Sequence, residues 1–278
     1  MTAAFCGGWR PLREGITYYE TAGPDDGSPV VLVHGFSVPA FVWNRTAPAL
    51  VQAGLRVLRY DLYGRGASAK PLGAYDLTRF VNQLWDLVAW WEPDRPVALV
   101  GYSMGGPIVT GAAVARPERV RRVALIAPVV EGVALGLAMR LLALPVLGPW
   151  LMRTVARPRM EAGVRADFRG PADEEYVRRY MAQWHDPGFA RALAASIRSG
   201  MLGDFRALFA ALGRTGLPVA ALWGQDDTLV PARQLDTLRA RIPRLQARTV
   251  PGVGHLVHYE RAAEVNPWLA AWLQGAAG

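Results

Sequence analysis

Short runs of Val, Leu and Ala recur along the chain without polar alternation: VVLVH from Val30, RVLRYD from Arg56, VALVG from Val97, RVALIAP from Arg122, VAALWG from Val219 and ARTVPG from Ala247. Apolar on both faces, such runs predict strands buried on both sides of a parallel sheet. Between them the apolar residues take helical spacing. Leu77, Phe80, Val81, Leu84, Leu87 and Val88 follow Asp76, a good N-cap, with Trp91 near the end and Pro93 as the stop. This alternation predicts a doubly wound α/β domain. The first residues, through GITYYETAG at 15–23, predict an antiparallel hairpin on the sheet edge.

Successive strand starts lie 26, 41, 25, 97 and 28 residues apart, whereas one strand-helix-strand unit needs about thirty. The long interval therefore carries an insertion, placed at 131–203, which divides a core of 1–130 and 204–278. Inside it, DEEYVRRYM from Asp173 is acidic first and basic later, and Asp186-Pro187 pairs an N-cap with a proline at the first helical position. The insertion thus reads as all-helical. A helical insertion at the carboxyl end of a strand, where α/β sheets bind ligands, predicts a lid.

With 278 residues, 51% of them apolar and 19% charged, the chain has ample material for a core and none of the signature of disorder. The net charge of +8 invites a nucleic-acid partner, but the distribution argues against one. Lys70 is the only lysine, and the arginines are scattered singly or in pairs such as Arg121 and Arg122. A single cysteine, Cys6, allows no intrachain disulfide, and no Cys/His ligand spacing exists, so no metal is expected. MTAAFCGGWR lacks a basic segment followed by a long apolar one, which points to a cytoplasmic protein. Pro96–Ala115 and Gly132–Met152 reach membrane-spanning length but are broken by prolines, glycines or Arg140, so no transmembrane segment is expected. The second stretch keeps a transient membrane contact through the lid open.

Strand VALVG runs into Gly101-Tyr102-Ser103-Met104-Gly105-Gly106 and then an apolar helix. GxSxG in a strand-turn-helix context predicts a nucleophile elbow. A serine on so tight a turn is strained, and its neighbours two residues away must be small for strand and helix to close around it. The same turn aims the first helix amides at a developing oxyanion.

On these residues the chain resembles the α/β-hydrolase family, whose motifs it follows from about Val30 to Pro128 and from Leu217 to Trp272. The resemblance implies a mostly parallel central sheet flanked by helices; the helical lid, which the resemblance does not cover, is read from the long interval as inserted before the acid-bearing strand. It matches the family's histidine-glycine motif to His34-Gly35-Phe36, which implies that the Phe36 and Met104 amides form the oxyanion hole. Asp61-Leu62-Tyr63-Gly64-Arg65-Gly66-Ala67-Ser68 is similar to the family's DxxGxGxS loop and reads as structural, with a direct substrate role for Arg65 as the alternative.

A serine hydroxyl needs a base, and the base needs an acid. Of four histidines, His34 precedes the oxyanion amide, His185 lies in the insertion, and His258 suits capping or packing, as does Glu260. His255 follows the last strand in a glycine-containing loop and is the candidate. After VAALWG, Asp226 and Asp227 compete; the family pattern, three residues after the glycine and four before the proline, implies Asp227. The order Ser103, Asp227, His255 is that expected of this fold.

The family's dehalogenases and epoxide hydrolases carry aspartate where this chain has Ser103, and HGFSVPAFVW lacks the stretches of the iminopeptidases and carbon-carbon bond hydrolases. The chain is more similar to carboxylesterases and monoacylglycerol-lipase-like members. The expectation is a cofactor-free serine hydrolase acting on a small-molecule ester with an apolar acyl group. Two alternatives use the same fold: an acyltransferase or cofactor-free perhydrolase of haloperoxidase type, and a non-catalytic small-ligand receptor. Ser37, Trp43, Met139 and Trp150 are candidate pocket residues, and Leu135, Leu137, Leu141, Leu142, Leu144, Val146, Leu147 and Met152 add to an apolar lid surface.

Overall fold

The computed structural model describes residues 4–134, 141, 144 and 147–275. The runs read as strands form β1 (Cys6–Leu12), β2 (Gly15–Ala22), β3 (Pro29–Val33), β4 (Arg56–Tyr60), β5 (Val97–Tyr102), β6 (Val120–Ile126), β7 (Val219–Gly224) and β8 (Gln246–Val250). They make one sheet in the order β1-β2-β4-β3-β5-β6-β7-β8. β1 and β2 form the edge hairpin, β2 runs antiparallel to β4, and every later pairing is parallel.

Alternate residues of the central strands feed two separate cores. Val31, Val33, Leu58 and Leu99 pack on one face with Phe80, Leu84 and Leu87 of the Leu77–Trp91 helix and with the Gly105–Ala115 helix. Val30, Leu32, Val57 and Val100 pack on the other with Leu50, Leu269 and Leu273. Each fully buried side chain of this size contributes roughly 1.5–3 kcal/mol. Asp76 caps its helix by accepting from the Arg79 amide at 2.9 Å. β8 departs from the expectation of two buried faces: only Val250 is buried, because the strand closes the sheet edge and has a neighbour on one side alone.

Between β6 and β7 the regular elements among the described residues are all helical: Leu147–Leu151, a π turn at Met152–Ala156, Arg157–Ala166, Glu174–Ala182, a short turn at Gln183–His185, Pro187–Arg198 and Arg206–Arg214. Asp186 caps the Pro187–Arg198 helix, as its sequence predicts, and Asp173 caps the Glu174–Ala182 helix. The π turn runs into Arg157–Ala166, whose Pro158 has no N–H to offer the helical ladder. These helices share a small core of Met152, Trp184, Phe189, Leu193 and Ile197. Leu135, Leu137, Met139, Leu142 and Val146 lie outside the described residues. Leu141 and Leu144 are exposed, and Met152 is spent on the small core. No helix among the described residues is long and apolar enough to cross a membrane.

Candidate active site

Ser103 ends β5 in the left-handed region, φ 54°, one of two non-glycine residues there among those described. Its neighbours explain the glycines. A Cβ on Gly101 would strike the Gly105 carbonyl and lie 2.6 Å from Val109, and one on Gly105 would strike the Val33 carbonyl. Strand and helix therefore close only over bare backbone, and the Ser103 amide is fixed to the Ile126 carbonyl at 2.9 Å.

Two loops from the far side of the sheet converge on this turn. His255, five residues beyond β8, places Nε2 3.0 Å from Ser103 Oγ, and its Nδ1 lies 2.7 Å from Asp227 Oδ2. An ionised carboxylate only accepts, so Nδ1 carries the proton and donates to Asp227, which leaves Nε2 to accept from the serine hydroxyl. Asp227 Oδ1 accepts from the Leu229 and Val230 amides, each at 2.9 Å, which locks the carboxylate's orientation. Burial works against a charged imidazole, but the Asp227 carboxylate, with Asp167 behind it, outweighs that and holds His255 above the ordinary histidine value. The neighbouring Asp226 turns its backbone to Val253 instead.

The HGF loop is held by its own polar groups. His34, fully buried, accepts from the Leu62 amide on Nε2 at 2.9 Å and so donates through Nδ1 to the Gly35 carbonyl at 2.9 Å. Burial pushes its pKa down to about 3, which keeps the ring neutral for this task. In a trans peptide the carbonyl of Gly35 and the N–H of Phe36 point opposite ways, so fixing the one aims the other. Arg65 fixes the next peptide by donating from Nε to the Phe36 carbonyl at 2.8 Å. The Phe36 and Met104 amides have no acceptor among the described residues.

Arg65 itself is fully buried, donating also to the Tyr63 carbonyl at 3.1 Å and to Ser196 Oγ at 2.8 Å. Burial pushes its pKa down to about 10. It has no route to a substrate, and the alternative role the sequence left open does not fit. Asp61 holds the same loop by accepting from the Ala40 and Ala67 amides, both at 2.8 Å.

A cavity of about 200 Å³ opens over Ser103 and His255. The core side gives it Phe36, Ser37, Val38 and Leu229; the insertion gives Met160, Gly163, Val164, Asp167 and Leu202. Of the four pocket residues named from sequence, Ser37 is there. Trp43 is not: it is fully buried and packs on His258 and Tyr102, since the turn of Ala40–Trp43 points it into the core. Trp150 is 58% exposed and lines a separate open groove with Trp9 and Arg153. Met139 lies outside the described residues. His258 is buried and neutral, its pKa pushed down to about 3 by burial and by His255. Sequence reading missed the wall Met160, Gly163, Val164 and Asp167, although their i, i+3, i+4, i+7 spacing marks one helical face. No group of His, Cys, Asp and Glu fit to hold a metal ion occurs among the described residues.

Residues 30–268 match the alpha/beta hydrolase family. The chain belongs to that family. A Synechocystis protein that carries the name of a non-heme chloroperoxidase is 28% identical, the alignment covering 92% of this chain and 94% of the relative. Among solved structures, a haloalkane dehalogenase from Agrobacterium tumefaciens C58 superposes with a TM-score of 0.83 at 23% identity, over 99% of this chain and 98% of that one. A bromoperoxidase from Bacillus anthracis does so at 0.81 and 23%, over 98% and 100%. Both structural likenesses speak for the alpha/beta hydrolase fold. That fold supports a hydrolase acting on a small molecule and leaves open which bond is cut.

Proposed function

We propose that the protein is a serine hydrolase of carboxylic esters, with Ser103 as nucleophile, His255 as general acid and base, and Asp227 as the acid that holds the imidazole. The observation that carries this reading is the unbroken series Ser103 Oγ, His255 and Asp227, at 3.0 and 2.7 Å, ending at a cavity. Ser103 Oγ attacks the ester carbonyl carbon as its proton passes to His255 Nε2, and the tetrahedral oxyanion is received by the Phe36 and Met104 amides. Collapse breaks the ester bond; the leaving alkoxide takes the proton from Nε2 and departs as the alcohol. Water then gives a proton to the same nitrogen, attacks the acyl-enzyme, and releases the acid with Ser103 restored. The helices of 131–203 serve as the lid that keeps bulk water from these steps.

The cavity is small against the roughly 300–1,000 Å³ of ordinary ligand sites, which favours short acyl groups. Hydrolysis of p-nitrophenyl esters should therefore fall off as the acyl chain lengthens, and turnover of acetate through decanoate esters measures it. A second reading, transfer of the acyl group to peroxide, is favoured by the chloroperoxidase name of the Synechocystis relative. Product analysis with ester and hydrogen peroxide together separates the two.

The pH profile is a further test. Below its pKa the imidazolium has no lone pair for the serine proton, and that pKa is raised, so kcat/KM should climb through a limb above the ordinary histidine value of about 6.5. A profile flat from about pH 5 to 9 with chemistry rate-limiting would contradict His255 as base.

A further inference from the structure

The cavity wall supplied by the Arg157–Ala166 helix contains one acid, Asp167, which is also that helix's C-cap. Burial, the helix dipole and two neighbouring carboxylates oppose a charge there, while His255 and Arg169 favour one. The carboxylate sits at the negative end of the helix dipole. Burial raises its pKa, to about 6, with His255 opposing and with Asp227 and Glu260 adding to the rise. Among the described residues no hydrogen bond or ion pair reaches its side chain, and its amide is already spent on the Gly163 carbonyl. The arginines nearby are engaged elsewhere: Arg169 donates to the Asp226 carbonyl, and Arg159, exposed on the cavity rim, donates to the Val155 carbonyl at 3.0 Å. Met160, Val164, Leu202, Phe36 and Leu229 make much of the shared wall apolar, with Ser37, Tyr102, Arg159, Ser103 and His255 as its polar members.

The carboxylate is thus partly exposed on the cavity wall and met by no protein donor among the described residues. Its place on the pocket wall makes sense if the occupant supplies the missing donor. We propose that Asp167 is the specificity-determining acceptor of this site, and that the substrate is an ester carrying a hydroxyl or a protonated amine on the half that lies against the Arg157–Ala166 helix. This inference rests on the ester-hydrolase reading above. Gly163, one turn before Asp167, leaves open space where a side chain would stand, so the approach to the carboxylate is clear.

Two matched series test it. In one, p-nitrophenyl butyrate, 3-hydroxybutyrate and 3-aminobutyrate vary the acyl half; in the other, ethyl, 2-hydroxyethyl and 2-aminoethyl butyrate vary the alcohol half. In wild-type enzyme the donor-bearing members of one series should exceed their alkyl analogue in kcat/KM by roughly tenfold to a hundredfold, the size of a hydrogen bond to a charged group. Asp167→Asn should keep the preference for hydroxyl and lose that for ammonium; Asp167→Leu should lose both and favour the alkyl ester. Ratios within one variant cancel any change at His255, since all members meet the same imidazole. Each variant is also labelled with a fluorophosphonate at Ser103. Labelling with no discrimination in either series, or with Asp167→Leu discriminating like wild type, overturns the inference alone. A wild-type enzyme that neither labels nor turns over esters overturns the reading beneath it, and the inference with it.

Discussion

Ser103→Ala is expected to lower kcat for ester hydrolysis by about 10⁴- to 10⁶-fold and to abolish fluorophosphonate labelling, with the melting temperature nearly unchanged. The loss is large because every bond-making step runs through Oγ, which is the atom 3.0 Å from His255 Nε2. The fold should survive because the strain at this residue lies in the backbone, φ 54°, and alanine carries the same Cβ as serine. The oxyanion amides and the cavity remain, so the variant should still bind substrate. Ester turnover in the variant equal to wild type, measured on protein free of contaminating esterase, would refute Ser103 as nucleophile.

Asp227→Asn is expected to cost nearly as much, about 10⁴-fold in kcat, for a different reason. Oδ1 of Asp227 is the acceptor for two loop amides, so an asparagine keeps its carbonyl oxygen there and turns its NH₂ toward His255. That group donates where the carboxylate accepted. Nδ1 must then be the unprotonated nitrogen, Nε2 carries the hydrogen, and the serine proton has nowhere to go. Steady-state kinetics with a melting curve should find the activity gone and the structure kept. Activity within a few-fold of wild type would show that Asp227 does not set the tautomer.

The sheet could be read from sequence because its strands are apolar on both faces, a pattern that long surface helices cannot mimic; β8 was the exception because an edge strand has one neighbour. The elbow was legible for a steric reason, since Gly101 is forced by the Gly105 carbonyl four residues on and Gly105 by the Val33 carbonyl of β3, so both glycines are written into the motif. The placement of Ser103, Asp227 and His255 after the ends of β5, β7 and β8 was likewise within reach, because parallel order sends each following loop to the same rim. The cavity wall was not. Trp43 looked like a pocket residue from its distance along the chain to the HGF motif, but a short helical turn rotates it into the core, against His258. Asp167 carried no motif, and its meaning comes from what fails to touch it, which only three-dimensional structure reveals.

The Arg65 guanidinium, shared between the Phe36 carbonyl and Ser196 Oγ, joins two stretches 131 residues apart in sequence. A cut in the backbone near Gly170 would leave that cation in one fragment and its hydroxyl acceptor in the other, with β6 and β7 bared as open edges on either side of the break. The same cut parts Ser103 from Asp227 and His255, so each piece alone is expected to be inert toward esters.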